Sequence, residues 1–248
     1  MRQPVMSSRS SAPATTARRV IVVVPAYQEA RHIARTLQAM PTFVDRVLVV
    51  DDASDDDTAA IAAALGDPRV RVLRHAHNRG VGAAIATGYR AALDEGGDDD
   101  DALVVMAGDG QMDPADLPRL LDALARADYV KGNRMQHASI HARMPLTRWL
   151  GGQVLSRATS LAIGCPIHDS QCGYTAITRR ACARLDLEDL WPRFGYPNDL
   201  LGQLVVRGLR VVEVPIAPVY ADEASHLRAW HVPRIAWLIA RAALRVRV

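Results

Sequence analysis

The sequence predicts an α/β fold, a single domain built on a mostly parallel, Rossmann-like sheet flanked by helices. Three observations carry that expectation. Short β-branched or apolar runs recur at Val20–Val24, Arg46–Val50, Val70–Leu73 and Leu103–Met106; helically spaced apolar residues fill the intervals; and polar loops follow the runs. Strands alternating with helices imply crossover connections, which gather the loops after the strands along one edge of the sheet. Open sheets of this kind bind their ligands at that edge.

A chain of 248 residues, 49% of them hydrophobic, is long enough to bury a substantial core. The net charge of +3 gives no footprint for nucleic acid, and no nucleic-acid partner is expected. Cys165, Cys172 and Cys182 are odd in number and lack paired spacing, so they read as reduced thiols packed as small apolar groups, which fits a cytoplasmic location. No stretch reaches the roughly 20 apolar residues of a membrane span.

Residues 1–18 are rich in Ser, Thr, Ala and Arg without apolar periodicity and read as a disordered tail. Val20–Val24 reads as a strand covered on both faces, ended by Pro25-Ala26-Tyr27-Gln28-Glu29, after which Ile33, Leu37 and Met40 have helical spacing. Arg46–Val50 repeats the pattern, with the turn Asp51-Asp52-Ala53-Ser54-Asp55 and an alanine-rich helix from Thr58 to Leu65. Val70–Leu73 runs into His77-Asn78-Arg79-Gly80-Val81-Gly82 and a helix over 83–93.

The acidic block Asp98–Asp101 precedes the fourth strand, so it belongs at the opposite edge and reads as a solvated linker. The fourth strand ends in Ala107-Gly108-Asp109-Gly110-Gln111-Met112-Asp113, and Pro114 suits the first turn of a helix over 114–126. Asp128–Arg134 reads as a short strand with a basic end, residues 135–145 as a mobile loop, and 146–162 as a helix. Cys165–Tyr174 reads as a polar loop, followed by further helix to Leu201 and a strand at Val211–Ile216. Residues 229–248 form a basic amphipathic helix: Arg234, Arg241 and Arg245 fall in one narrow arc, a pattern that suits either an anionic membrane interface or packing on the chain's own domain.

Five motifs in a fixed order, Val24-Pro25-Ala26-Tyr27-Gln28-Glu29, Val50-Asp51-Asp52-Ala53-Ser54-Asp55, Asn78-Arg79-Gly80-Val81-Gly82, Asp109-Gly110-Gln111 and Gly132-Asn133-Arg134, resemble the family 2 glycosyltransferases of GT-A fold. Within that family the resemblance is to the dolichol-phosphate and polyprenyl-phosphate sugar synthases, and it spans Val20 to Arg228. It implies a catalytic domain over residues 19–228, a nucleoside-diphosphate-sugar donor and a divalent cation, Mg²⁺ or Mn²⁺.

The resemblance implies that Asp51, Asp52 and Glu29 hold the nucleoside, with Pro25 and Tyr27 shaping the pocket and Gly82 in the donor loop; loop carboxylates can accept from base N–H groups and ribose hydroxyls. The alternative for Asp52 and Asp55 is capping of the helix that begins near Thr58. Asp109 is the expected metal ligand, with Gln111 beside it and Asp113 within reach if the loop bends. A cation there would neutralise the diphosphate and stabilise its departure. Ala107 departs from the family pattern, which usually has a carboxylate at that position. Arg134 is the expected phosphate cation, because a guanidinium can fork onto phosphate oxygens, and Lys131 is the weaker candidate. Ser225 and Arg228 resemble a late phosphate-binding loop.

The acceptor decides the mechanism. A hydroxyl acceptor needs a general base, for which Asp169 and Asp199 are candidates. A lipid phosphate is already ionised near neutral pH, with a second pKa of about 6, and needs only positive groups such as Arg134 and Arg228. The resemblance implies inverting transfer of a sugar to a polyprenyl phosphate at the membrane surface; the basic C-terminal helix, outside the span of the resemblance, is the expected point of peripheral contact with the cytoplasmic face. The alternatives are transfer to a hydroxyl of a small molecule or glycan by a soluble family 2 enzyme, and a non-catalytic nucleotide-sugar-binding protein, which Ala107 suggests.

Overall fold

The computed structural model of the chain describes residues 18–140, 144–219 and 232–247. The tail up to residue 17, Ser225 and Arg228 lie outside them. The elements run β1 (Val20–Ala26), α1 (Ile33–Gln38), β2 (Arg46–Asp51), α2 (Thr58–Ala64), β3 (Val70–Arg74), α3 (Val81–Asp94) and β4 (Ala102–Val105). After a short 3₁₀ turn at Pro114–Asp116 come α4 (Leu117–Leu124), β5 (Tyr129–Asn133), α5 (Leu146–Ile163), β6 (Thr175–Thr178) and α6 (Arg179–Cys182). The chain continues through α7 (Tyr196–Val206), β7 (Val211–Pro215) and α8 (Val232–Arg247).

The strands form one seven-stranded sheet in the order β3-β2-β1-β4-β6-β5-β7. Every neighbouring pair is parallel except those made by β6, which runs antiparallel to both β4 and β5. The mostly parallel sheet is as expected; β6 is not, since its four residues fall where the sequence reads as loop leading into helix. Its short length hides any alternation, and it becomes a strand because Leu103↔Ile177 and Val130↔Ala176 pair it on both sides. The consequence is functional. An antiparallel strand enters the sheet at the edge where the parallel strands end, so the loop before β6, holding Asp169, Gln171 and Gly173, is delivered to the ligand edge.

The continuous apolar runs of β1, β2 and β4 are buried on both faces. Alternate residues serve two cores: Ile21 and Val23 meet Tyr89 of α3 and Leu200 of α7, while Val22 and Val24 meet Leu37 of α1 and Leu120 of α4. β3 and β7 close the sheet as half-exposed edges. The two faces are layered with helices, so the loops at the strand ends are held on a rigid frame.

The acidic block splits in two. Asp98, Asp99 and Asp100 are exposed, as a solvated linker requires, but Asp101 is 2% exposed and its carboxylate accepts the backbone N–H groups of Arg19 and Asp98. It ties β1 to β4 at the edge away from the ligand loops. All three cysteines are free thiols; burial raises the pKa of Cys172 and Cys182, as expected of apolar packing groups.

The C-terminal helix packs on the chain's own domain, one of the two roles its pattern allows. Ile235, Leu238, Ile239 and Ala242 of α8 are buried, and the helix packs on α7 and α5. Arg241 and Arg245 turn inward, both reaching Asp189 and Asp199, because the buried Asp199 carboxylate draws cations. Of the three arginines that share one arc of the helix, only Arg234 is exposed.

Candidate active site

A cleft of about 410 Å³ opens at the edge where β1, β2 and β4 end, within the size range of small-molecule sites. Its polar side is built from Glu29, Asp52, Asn78, Asp109, Gln111 and Arg134. Its apolar side is built from Val81, Ile85 and Met112, together with Met135, Met144, Leu155 and the segment Phe194–Pro197. Pro25 and Tyr27 line it as well, with Tyr27 45% exposed at the rim.

The loops after β1 and β2 are laced together. Gln28 N–H donates to Ser54 Oγ, Glu29 N–H to Thr58 Oγ1, and Ala30 N–H to the Asp56 carboxylate. The Gln28 side-chain amide donates to Asp55. Gln28 and Ala53 adopt positive φ of 59° and 61°, a conformation that non-glycine residues hold only when their surroundings impose it, and that clusters at functional sites. The bracing that imposes it was not legible in sequence. Helix α2 is started by Asp56, which accepts from Thr58 N–H and Oγ1; neither Asp52 nor Asp55 caps it.

The adjacent carboxylates Asp51 and Asp52 do different things. Successive residues at a strand end point to opposite sides. Asp51 does not line the cleft: its side chain is buried, accepts Ser54 N–H at 3.2 Å and pairs with Arg74 at 3.1 Å, so it folds the turn. Asp52 lines the cleft, and its carboxylate accepts Arg79 N–H at 2.8 Å and Gly80 N–H at 2.6 Å, with His75 Nδ1 2.6 Å away. It therefore shapes the loop Asn78–Gly80, where Gly80 has a φ of 98°. Gly82 does not line the cleft either. A β-carbon there would meet the Trp191 carbonyl oxygen at 2.1 Å, so its bareness serves the close approach of the segment 191–192 to the start of α3.

Asp109 and Gln111 line the cleft together, with Asp109 Oδ1 accepting Gln111 N–H at 2.9 Å. Asp113 does not join them; its carboxylate accepts Ala115 N–H and caps the turn before α4. Among the described residues there is no group of three His, Cys, Asp or Glu side chains able to hold a metal. A hard divalent cation takes at least six oxygen ligands, so these residues fit one only if a bound diphosphate and water supply most of them.

Arg134 and Asp169 form a two-pronged ion pair. Arg134 Nε donates to Asp169 Oδ2 at 2.8 Å, Nη2 to Oδ1 at 2.9 Å, and the Arg134 backbone N–H to Oδ2 at 3.0 Å. Burial alone would raise the Asp169 carboxyl, but the Arg134 charge and hydrogen bonds, with Lys131 beyond, hold it below the ordinary carboxylate range. As the conjugate base of an acid held that strong, Asp169 is a poor proton acceptor. The loop is fixed further by Glu213, whose carboxylate accepts the His168 and Asp169 backbone N–H groups. Lys131 faces the interior, donating to the Cys172 carbonyl, and burial lowers its pKa.

Asp199 is not in the cleft. It is fully buried behind the wall, where Oδ2 accepts Trp191 N–H at 2.9 Å and Oδ1 lies 3.2 Å from both Arg241 and Arg245. The wall itself, Phe194–Pro197, which leads into the first turn of α7, was missed in sequence; its local signals are Gly195, with a φ of 95°, and Pro197 in the first turn of the helix.

The chain is 34% identical over 203 residues to the undecaprenyl-phosphate mannosyltransferase of Micrococcus luteus, covering 80% of this chain and 82% of that protein. It is 34% identical over 207 residues to the polyprenol monophosphomannose synthase of Mycolicibacterium smegmatis, covering 80% and 76%. Its fold matches that of glucosyl-3-phosphoglycerate synthase from Mycobacterium tuberculosis in complex with uridine diphosphate, with a TM-score of 0.67 at 22% identity over 94% of this chain and 81% of that one. The same enzyme has been crystallised with Mn²⁺ and UDP-glucose. Residues 21–185 match the family model for glycosyl transferase family 2, and the chain belongs to that family.

Proposed function

We propose that the protein transfers a sugar from a nucleoside diphosphate to a polyprenyl phosphate with inversion at the anomeric carbon. The observation that carries this reading is the Arg134–Asp169 fork: it holds a cation in place in the lining of the cleft while tying up one of the two expected general bases. The other, Asp199, is buried behind the wall. An acceptor that is already an anion needs the first of these features and not the second. The names of the two mannosyl-transferring relatives support the same acceptor class.

In this reading Glu29, Asn78 and the backbone around Pro25 and Tyr27 hold the nucleoside, and Asp52 acts by fixing the Asn78–Gly80 loop. Asp109 and Gln111 sit where the diphosphate binds. They would hold Mg²⁺ or Mn²⁺ jointly with the donor phosphates; when bound, the cation offsets charge on the departing diphosphate. Arg134, oriented by Asp169, binds the acceptor phosphate. An oxygen of that phosphate attacks the anomeric carbon as the bond to the nucleoside diphosphate breaks on the opposite side. No proton needs to leave the nucleophile. Ser225 and Arg228 belong to the same proposal as phosphate contacts, and the active unit extends over residues 19–228.

The test is a donor screen with polyprenyl phosphate, a hydroxyl acceptor and no acceptor, followed by mass analysis of the product. Sugar attached through the lipid phosphate is the expected result. Transfer only to the hydroxyl acceptor would overturn the acceptor assignment, and no turnover of any labelled donor would indicate a binding protein.

A further inference from the structure

Helix α5 is buried on one side and carries large aliphatic groups on the other. Its inner face carries Ser156, Thr159 and Ile163 into the interior, and Gly152 and Leu155 line the cleft. On the outer face Leu146, Leu150, Val154 and Leu161 are 66, 50, 66 and 85% exposed. Steps of four, four and seven residues bring these four side chains within an arc of about 80°. A helix packed on one side of a globular domain ordinarily turns its polar residues outward. A stripe of large aliphatic groups left in water marks an interaction surface.

We propose that the outer face of α5 docks the protein on an anionic lipid bilayer, with the four aliphatic side chains entering the boundary between headgroups and acyl chains. The inference rests on the lipid-phosphate acceptor proposed above. Charge supports a bilayer as the occupant: neither Leu146–Ile163 nor Val232–Arg247 contains an acidic residue. Arg157 is exposed within the same arc as the stripe, and Arg234 is exposed on α8, which packs against α5. Apolar insertion combined with basic residues is the pattern of helices that lie in a membrane interface.

Placement supports it too. The helix that carries the stripe also contributes Gly152 and Leu155 to the cleft, and Met144 lines the cleft two residues before it begins. Docking through α5 would therefore set the cleft beside the bilayer, where the phosphate of a membrane-held polyprenyl chain lies. The C-terminal helix, favoured by its arginines in sequence, is the weaker surface because Arg241 and Arg245 face Asp199.

The test uses the full chain and a Leu150→Gln/Val154→Gln/Leu161→Gln variant, whose substitutions are at exposed positions outside the cleft. Each is sedimented with vesicles of phosphatidylcholine alone and of phosphatidylcholine mixed with phosphatidylglycerol, after circular dichroism has shown equal folding. The wild type should partition onto the mixed vesicles, and the variant should lose about tenfold or more of that partition. Transfer to a short-chain polyprenyl phosphate in solution should be equal in the two proteins, whereas transfer to a long-chain acceptor in vesicles should fall with the lost binding. Equal sedimentation of variant and wild type overturns the proposal. So does a wild-type dimer that the variant splits while vesicle binding stays unchanged, since the stripe would then be a contact between copies. Normal transfer without vesicle binding defeats the docking surface alone. Stripe-dependent vesicle binding without transfer to any polyprenyl phosphate upholds the surface and defeats the acceptor assignment.

Discussion

Arg134, which lines the cleft, meets Asp169 in a two-pronged fork, 2.8 Å and 2.9 Å apart at its prongs, with Asp169 only 1% exposed. The pair aims a guanidinium at the site and at the same time strips the carboxylate of basicity. One geometry thus bears on both questions that the acceptor raises, which group binds it and whether any group must deprotonate it.

Asp169→Asn would leave Arg134 partly buried without its counter-ion. Removing one partner of a buried pair costs about 3–5 kcal/mol, so a marked fall in unfolding free energy at pH 7 is expected, together with weaker acceptor binding. The folded-state pKa of Asp169 is depressed, so its contribution is fully present above the unfolded value of about 4 and is lost as pH falls through the lower folded value. Denaturant melts of wild type and variant should therefore differ most near neutrality and converge in acid. A difference that persisted unchanged at low pH would show that the carboxylate charge is not what holds the loop.

Asp109→Asn is expected to reduce turnover by about a hundredfold while leaving the melting temperature within a few degrees, because the side chain serves the diphosphate rather than the core. Chelation should mimic it, with restoration by Mg²⁺ or Mn²⁺. Full activity after thorough chelation would remove the cation from the scheme.

Ala107→Asp would restore the carboxylate that the family pattern usually has two positions before Asp109. Because Ala107 lines the cleft and is partly exposed, the substitution adds a ligand without cutting into the core. The apparent affinity for the divalent cation, measured from activity against metal concentration, should rise, since charge count sets affinity at such sites. No change would mean that Ala107 is too far from the cation to matter.

Arg241→Ala with Arg245→Ala would leave the buried Asp199 without either of its cations while Trp191 N–H still donates to it. Since the segment after Trp191 forms one wall of the cleft, the expected effect is a rise of about tenfold in KM for the donor with a smaller change in kcat. If Asp199 were instead the general base, Asp199→Asn would lower kcat by about a hundredfold or more with KM little changed; an effect mainly on KM, like that of the arginine variant, is the expected result.

Gly82→Ala would place a β-carbon 2.1 Å from the Trp191 carbonyl oxygen, a backbone atom that cannot swing aside. Overpacking of this kind costs about 1–3 kcal/mol, and here it should also open the cleft wall. Thermal melting and donor KM should both worsen. Gly66→Ala, which meets no neighbour but sits at a φ of 66°, separates conformational strain from the clash.

The first half of the fold was readable because strands buried on both faces are written as unbroken β-branched runs, and Val20–Val24 and Arg46–Val50 need no partner to be recognised. β6 was not, because Thr175–Thr178 has no pattern of its own and is a strand only by pairing with β4 and β5. The candidate site divides in the same way. Pro25, Tyr27, Glu29, Asp52, Asp109, Gln111 and Arg134 stand in local motifs and do line the cleft, whereas the Phe194–Pro197 wall and the contributions of Gly152 and Leu155 come from segments remote in sequence.

Sequence by itself determined the sheet-and-helix class, the family, and which loops carry polar chemistry, since all of these are written in local periodicity and residue order. Only the tertiary structure decided what each charged side chain does. Asp51 and Asp52 are neighbours in the chain, yet one folds a turn and the other lines the cleft, because adjacent residues at a strand end face opposite ways. Asp169 and Asp199 both read as candidate bases, but each lies against arginines from a distant segment: Arg134 is 35 residues from Asp169, and Arg241 and Arg245 belong to the C-terminal helix. Ionisation and reach depend on such partners, and partners far apart in the chain meet only when the fold brings them together.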